Sequence, residues 1–445
     1  MNKTEAFLNE IDALAQRPLP PEVLDRAKES LLDYLAVTAA GAAFQGEKLA
    51  RYMEFAGPES GKYKAIGTGR RLAMKEAVFL NGLNGHALDF DDGTNAGIIH
   101  LGSPIFSLLL PLAEQYDKTI GEVLRAAVLG YETSFTLAVS IQPGHKALGF
   151  HATGTCGTLG AAVAASYLLD FTAEERFRAF AAACTAASGM LLVLDDGSEL
   201  KPYNAAKTAL LALTAVQLAK SGFKGHPDPL GARRGFLKMM TGKDDVALKP
   251  TLLNGTWAIR KTYTKPYASC RYTHPAVEAA IRLRNANGLR AADVARIDIR
   301  TYSLAVSGHD HTEIPGSYSA KMSIPYATAA GLIWGRAGLQ EFSENAVRGD
   351  EVLALTRKIH VTADEDLSAA FPGIQAAVAE ITTTDGRKLC ERVDYPKGEP
   401  ENPLDETEFR DRFEGLLRYA GNENAAALLA RVAEGGRAAD LTELV

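Results

Sequence analysis

Apolar positions over the first 255 residues recur at helical spacing, segment after segment. Residues 27–39 bring Leu31, Leu32, Tyr34 and Leu35 together, and residues 121–141 set Val123, Leu124, Ala127, Val128, Tyr131 and Phe135 on one face. Residues 157–169 and 173–194 are rich in Ala and Gly, which predicts helices that approach closely and are buried on nearly every side. A further Ala/Leu helix is predicted over 204–221, ending at Gly222. No βαβ alternation interrupts this half.

The texture changes near residue 256. Residues 294–302 alternate in the strand manner, with Val294, Ile297 and Ile299 set against Arg296 and Arg300. Asp385-Gly386 between residues 377–384 and 387–393 is a hairpin signal, because this pair suits the positive φ values of a tight turn. Residues 276–288 and 327–334 are helical between these strands. A Pro-rich linker over 396–403 precedes helical patterns at 406–417 and 423–433. The pattern predicts a mainly α protein: a large helical domain over residues 1–258, a smaller α/β lid domain over 259–400, and a return to the helical domain over 401–445.

A chain of 445 residues exceeds one compact core, consistent with that division. The formal charge of −6, without a basic stripe, predicts no nucleic-acid partner, yet leaves room for an anionic substrate in a locally cationic pocket. Cys156, Cys184, Cys270 and Cys390 form no CxxC pair, which argues against a zinc ribbon or iron–sulfur site and fits a reducing compartment. The first ten residues carry acids early, unlike a signal peptide. The longest apolar run, 179–194, is about one turn short of a membrane span. A cytoplasmic protein without membrane contact is expected.

The densest chemistry lies in Asn81-Gly82-Leu83-Asn84-Gly85-His86-Ala87-Leu88-Asp89-Phe90-Asp91-Asp92-Gly93-Thr94, followed by His100-Leu101-Gly102-Ser103-Pro104. So much ionisable surface between apolar stretches points to something held or reacted there, against the plain reading of a capped turn. Further clusters are His145–Thr155, Asp195–Asn204 with Lys201 at a helix entrance, Tyr263–His274, and Lys321–Tyr326. His309-Asp310-His311 reads as a polar loop. The Asp and His spacing matches no standard metal site, so no metal is expected. Gly154-Thr155-Cys156-Gly157-Thr158-Leu159-Gly160 fits neither nucleotide-binding glycine pattern. Histidine, aspartate and tyrosine carry protons, while lysine and arginine clamp carboxylates. Together they point to moving a proton beside a carboxylate, with cations holding an enediolate-like transition state.

In order along residues 30–395, NGLNGHALDFDD with HLGSP, GFHATGTCGTLGAA, ELKPYNAAKTA, KPYASCRYTH and KMSIPYATA resemble the MmgE/PrpD family, which includes 2-methylcitrate dehydratase, cis-aconitate decarboxylase and iminodisuccinate epimerase. The resemblance implies a helical domain with an inserted lid, a cofactor-free pocket between them, and a homodimer. It places Asp89, His100, His151, Lys201, Lys265 and Tyr326 in the pocket; chemistry adds Arg271 and His274, and Thr94 joins them as a substrate contact. Three departures stand out: Gly93 then Thr94 where decarboxylase-like chains carry Thr after the Asp pair, Cys270 in place of a histidine, and Tyr203-Asn204 in a segment that usually reads Lys-Pro-Leu-His. They make cis-aconitate decarboxylation the least favoured family activity. The expectation is therefore a cofactor-independent lyase dehydrating a 2-methylcitrate-like di- or tricarboxylate. His151 would be general base or acid, with its pKa lowered by a helix N-terminus. Asp89 and His100 would complete proton transfer, Lys201, Lys265 and Arg271 would clamp carboxylates, and Tyr326 would donate a hydrogen bond. An epimerase is the alternative among enzymes, and a carboxylate-binding protein the alternative outside them.

Overall fold

The computed structural model describes residues 1–57, 59–194 and 198–445. Its N-terminal half is mainly helical, as the periodicity predicts, and most of the predicted helices are found within a few residues of their expected bounds. The core pair is Ile120–Ile141 against Cys156–Leu168. These helices touch at backbone distance. A Cβ on Gly160 would stand 2.6 Å from the Gly130 carbonyl oxygen, and one on Gly130 would stand 2.7 Å from Cβ of Ala164. Small residues thus bury both helices on nearly all sides. Ile120–Ile141 begins with a capping box, in which Thr119 and Glu122 satisfy each other's backbone N–H groups.

The same device of close approach builds the site. Gly82, in the helix Met74–His86, lies so near the helix Lys201–Lys220 that an added Cβ would sit 2.7 Å from Cα of Ala206. The turn after His86 is therefore held beside the entrance of the second helix, where Lys201 begins it.

Three expectations change. The helix expected over 173–194 stops at Ala186, followed by irregular chain and a short 3₁₀ turn at Leu191–Leu194. A hairpin of Ser60–Ala65 and Arg70–Leu72 stands inside the half predicted to be all helix. It is pinned by Asn81, whose side chain accepts from the Ile66 N–H at 2.9 Å and donates to the Lys64 carbonyl at 3.0 Å. The helix around residues 27–39 extends over Pro21–Ala56, broken at Gly46, where φ is 42°.

Beyond residue 260 a four-stranded sheet forms, ordered Ile359–Ala363, Val294–Thr301, Ala377–Thr383, Lys388–Val393. The expected Asp-Gly hairpin joins the last two, antiparallel. The first strand, unforeseen, pairs parallel with Val294–Thr301. The helix His274–Asn287 lies on this sheet and on Ile324–Trp334. The last long helix, Glu406–Tyr419, packs on Pro21–Ala56. Its Arg412 forms an ion pair with Asp33 and donates to the carbonyls of Lys265 at 2.6 Å and Phe90 at 2.7 Å. One guanidinium thereby ties both ends of the chain to the segments that carry Asp89 and Lys265. Among the described residues, no helix is long and apolar enough to cross a membrane.

Candidate active site

The helix Met74–His86 ends in a turn that takes Asp89 into the left-handed region, with φ of 51°. Aspartate tolerates this conformation better than branched residues do. Three lysines from distant segments hold the turn. Lys201 reaches Asp89 Oδ1 at 2.6 Å, Lys265 reaches the same oxygen at 3.0 Å and the Asp89 carbonyl at 2.7 Å, and Lys321 donates to the Leu88 carbonyl at 3.1 Å. All are buried. Burial alone would raise the Asp89 carboxyl, but the Lys201 and Lys265 ammonium groups hold it well below the usual carboxylate range. Burial lowers the Lys265 pKa, and Lys201 adds to this against the pull of Asp89. Lys201 is burdened by burial too, but Asp89 keeps its pKa raised. Burial pushes Lys321 down to about 7.

Beside this turn lies a narrow cavity of about 70 Å³. Thr94, His100, His151, Lys201, Lys265 and Arg271 all line it, and Asp89 stands behind the lysines, 3.7 Å from His100 Nε2. Asp89 Oδ2 is buried without a hydrogen-bond partner among the described residues.

The two histidines present different ring atoms. His100 Nδ1 lies 2.9 Å from the Asp92 carbonyl, which can only accept, so Nδ1 carries the hydrogen and Nε2 is left as the lone pair. Asp91 Oδ1 stands 3.4 Å from that Nδ1, ready to hold an imidazolium. In His151 the Asn204 amide nitrogen donates to Nδ1 at 3.0 Å. The amide orientation follows from its second contact, the Met190 carbonyl at 3.3 Å, which an amide oxygen would repel. Neutral His151 therefore carries its hydrogen on Nε2. Burial lowers His100 to about 4, with Asp91 opposing and His86 assisting. Burial, then the charges of His86 and Lys201, hold His151 well below the ordinary range. The direction expected for His151 is present, but its leading cause is burial, and Asn204 makes it a donor where a ready base was expected.

Two residues expected in the site face elsewhere. Tyr326 donates its hydroxyl to the Glu341 carbonyl at 2.7 Å and does not line the cavity. Its position at the start of Ile324–Trp334 packs it on Phe342, with its hydroxyl turned to Glu341. His274 accepts from Arg271 at 2.7 Å and donates to the Ser269 carbonyl at 3.3 Å, behind the wall. It contacts Arg271 and does not line the cavity. The clamp expectation also shifts, because Arg271 is already paired with Glu399, Nε to Oε1 at 2.9 Å. His309, read as part of a polar loop, is buried and gives its Nδ1 hydrogen to Met322. Asp195, Asp196 and Gly197, part of the cluster before Lys201, lie outside the described residues.

The sequence suggests His86 and Asp91 only as metal ligands at non-standard spacing, and gives Tyr263, Lys146 and Tyr272 no role of their own. Asp91 takes His86 Nδ1–H at 2.9 Å and the Ser103 hydroxyl at 2.9 Å, and His86 stacks edge-on against His100. Both belong to the densest motif, but nothing in their spacing separated them from Asp89. His86, Asp89, Asp91 and His100 bring donor atoms within 4.8 Å of one another, a grouping that could in principle ligate a cation. The residues do not fit one well: Asp89 Oδ1 already meets two ammonium groups, and Asp91 already accepts from His86 and Ser103.

Comparison with known proteins agrees with the motifs. The chain matches the model of the MmgE/PrpD N-terminal domain over residues 6–249 and that of the C-terminal domain over 267–434. It is 28% identical to a cis-aconitate decarboxylase of Aspergillus terreus over 438 residues, covering 92% of this chain and 88% of the relative. Against the cis-aconitate decarboxylase of Mus musculus it is 25% identical over 426 residues, 92% and 86% of the two chains. With the 2-methylcitrate dehydratase of Escherichia coli (strain K12) it shares 26% identity over 213 residues, 44% of this chain and 43% of the relative. The chain belongs to the MmgE/PrpD family.

Proposed function

We propose that this protein is an enzyme, a cofactor-independent lyase that dehydrates a small hydroxy-polycarboxylate of the 2-methylcitrate kind. The reading is carried by one observation: His100, whose Nε2 keeps a lone pair, and His151, whose Nε2 carries a hydrogen, line one cavity together with two buried lysines. His100 takes the proton from the carbon next to a carboxylate. The resulting imidazolium is held between Asp91 and the Asp92 carbonyl. Two ammonium groups sharing one carboxylate leave one excess positive charge, which stabilises the enediolate. The hydroxyl on the neighbouring carbon then leaves. His151 donates a hydrogen bond to it, and Lys265, the better acid of the two lysines, supplies the proton that completes water.

Epimerisation needs the same proton abstraction and no leaving group. A decarboxylase reading is favoured by the relatives matched over 92% of this chain, which are named for that activity. It would need protonation of carbon, and no base. Incubation in D₂O with a panel of di- and tricarboxylates, followed by proton NMR in the presence of chelator, separates the readings. A new alkene signal with water lost supports dehydration. Deuterium wash-in alone supports epimerisation, and loss of a carboxyl carbon supports decarboxylation. No change with any acid would contradict an enzyme of this class.

A further inference from the structure

Four cationic side chains line the cavity, and three already face a carboxylate. Lys201 and Lys265 share Asp89, and Arg271 holds Glu399. The fourth, Lys146, has no acidic partner among the described residues. Its ammonium donates to the Tyr272 hydroxyl at 2.6 Å and stands 4.5 Å from the centre of the same ring. Both residues line the cavity, from opposite parts of the chain: Lys146 from the short helix Gly144–Ala147, Tyr272 from the turn Arg271–Thr273. Tyr272 is buried. Its oxygen accepts from Lys146 and its own hydrogen has no acceptor among the described residues, so it is free for a bound group.

We propose that Lys146 and Tyr272 form a second carboxylate subsite, distinct from the Asp89 cluster, which fixes a carboxylate remote from the reacting carbon. The ammonium supplies the counter-charge and the phenol donates the second hydrogen bond, a charge-assisted pair in a partly dehydrated wall. The neutral Tyr272 oxygen holds the ammonium in place without satisfying its charge. A substrate with two separated carboxylates then spans the cavity, its reacting end at His100 and its far end at Lys146. Cation placement would thus favour polycarboxylates over simple acids.

The subsite rests on the functional reading above, and the test separates the two. Propane-1,2,3-tricarboxylate, which cannot be dehydrated, serves as the probe, its affinity measured by calorimetry for the parent protein, Lys146→Met, Lys146→Arg and Tyr272→Phe, each checked for an unchanged unfolding transition. Lys146→Met is expected to weaken binding about 10- to 100-fold, and Tyr272→Phe about 3- to 10-fold. Lys146→Arg restores the charge and should bind within a few-fold of the parent, which loss of packing alone would not predict. Binding by the parent that is undiminished in Lys146→Met would overturn the subsite and leave the functional reading standing. Absence of binding by the parent would overturn both.

Discussion

His100 and His151 face one cavity in opposite tautomers, the first fixed by the Asp92 carbonyl and the second by the Asn204 amide. A pair of neutral imidazoles needs no titration to act as acceptor and donor. Activity is therefore expected to persist below the usual histidine range. For the fully ionised substrate species, kcat/KM should hold from pH 7 to about pH 5 and fall only as His100 is protonated, near pH 4. An acid limb centred on 6.5 would show that the base titrates as an ordinary histidine. The same burial carries a stability cost in acid. His100 titrates lower in the folded state than in the unfolded chain, so the unfolded chain binds more protons from about pH 6.5 to 4. Stability contributed by this group is lost as pH falls through that window, by about 3 kcal/mol.

Asp92 works in the opposite sense. It accepts from the Tyr131 hydroxyl at 2.6 Å and the Gly102 N–H at 2.8 Å, but burial outweighs both and raises its carboxyl to about 6. Between about pH 4 and 6 the folded protein keeps a proton that the unfolded chain has released. Stability falls as pH rises through this window. Asp92→Asn is expected to gain about 2–3 kcal/mol at pH 7.5 and only about 1 kcal/mol at pH 4.5. Urea unfolding at the two values tests it; an Asn variant less stable at pH 7.5 would show that the carboxylate is well solvated or paired.

Much of the helical half was legible in the sequence because its faces are set by local periodicity and capping. Thr119 with Glu122, Thr172 with Glu175 and Asp405 with Glu408 all start helices where the pattern places them. The Asp-Gly hairpin was equally local. The strand Ile359–Ala363 was not, since it becomes a strand by pairing with residues some 60 positions away. Within the site, the motifs located the right segments but not the direction of each side chain. Tyr326 stands in a family motif, and its hydroxyl meets Glu341, a partner that spacing could not reveal. Asn204 shows the converse. It was noted as a departure from the usual histidine, and it sets the His151 tautomer.

Gly93 is a second departure with a structural reason. An added Cβ there would stand 2.4 Å from the Tyr263 hydroxyl oxygen and 2.9 Å from the Ile99 carbonyl oxygen, so the threonine found in decarboxylase-like chains does not fit. Gly93→Thr is expected to cost about 1–3 kcal/mol of stability, the range for overpacking. Tyr263→Leu in the same chain should recover part of that loss in chemical denaturation. Equal loss in the single and double variants would place the clash elsewhere.

Asp89 holds two buried ammonium groups through one oxygen. Removing the carboxylate leaves Lys201 and Lys265 facing each other without a counter-charge, and Asp89→Asn is expected to cost about 3–5 kcal/mol. Lys265→Met in the Asn background should recover part of this, because it removes one uncompensated charge. A double-mutant cycle with coupling of at least about 1 kcal/mol is the expected outcome. Additive losses would show that the three groups do not share one electrostatic site.

The role of His100 as the base is tested most directly by proton exchange. In D₂O, the parent protein should form the alkene and, as the proton step reverses, wash deuterium into the position next to a carboxylate of the remaining hydroxy-acid, both read by proton NMR. His100→Asn should slow that exchange about 10²–10⁴-fold with binding of propane-1,2,3-tricarboxylate within a few-fold of the parent. His151→Asn, which keeps a hydrogen-bond donor, should slow it far less. Rapid exchange in a folded His100→Asn protein, or exchange abolished by His151→Asn alone, would contradict the assignment and return the base to His151.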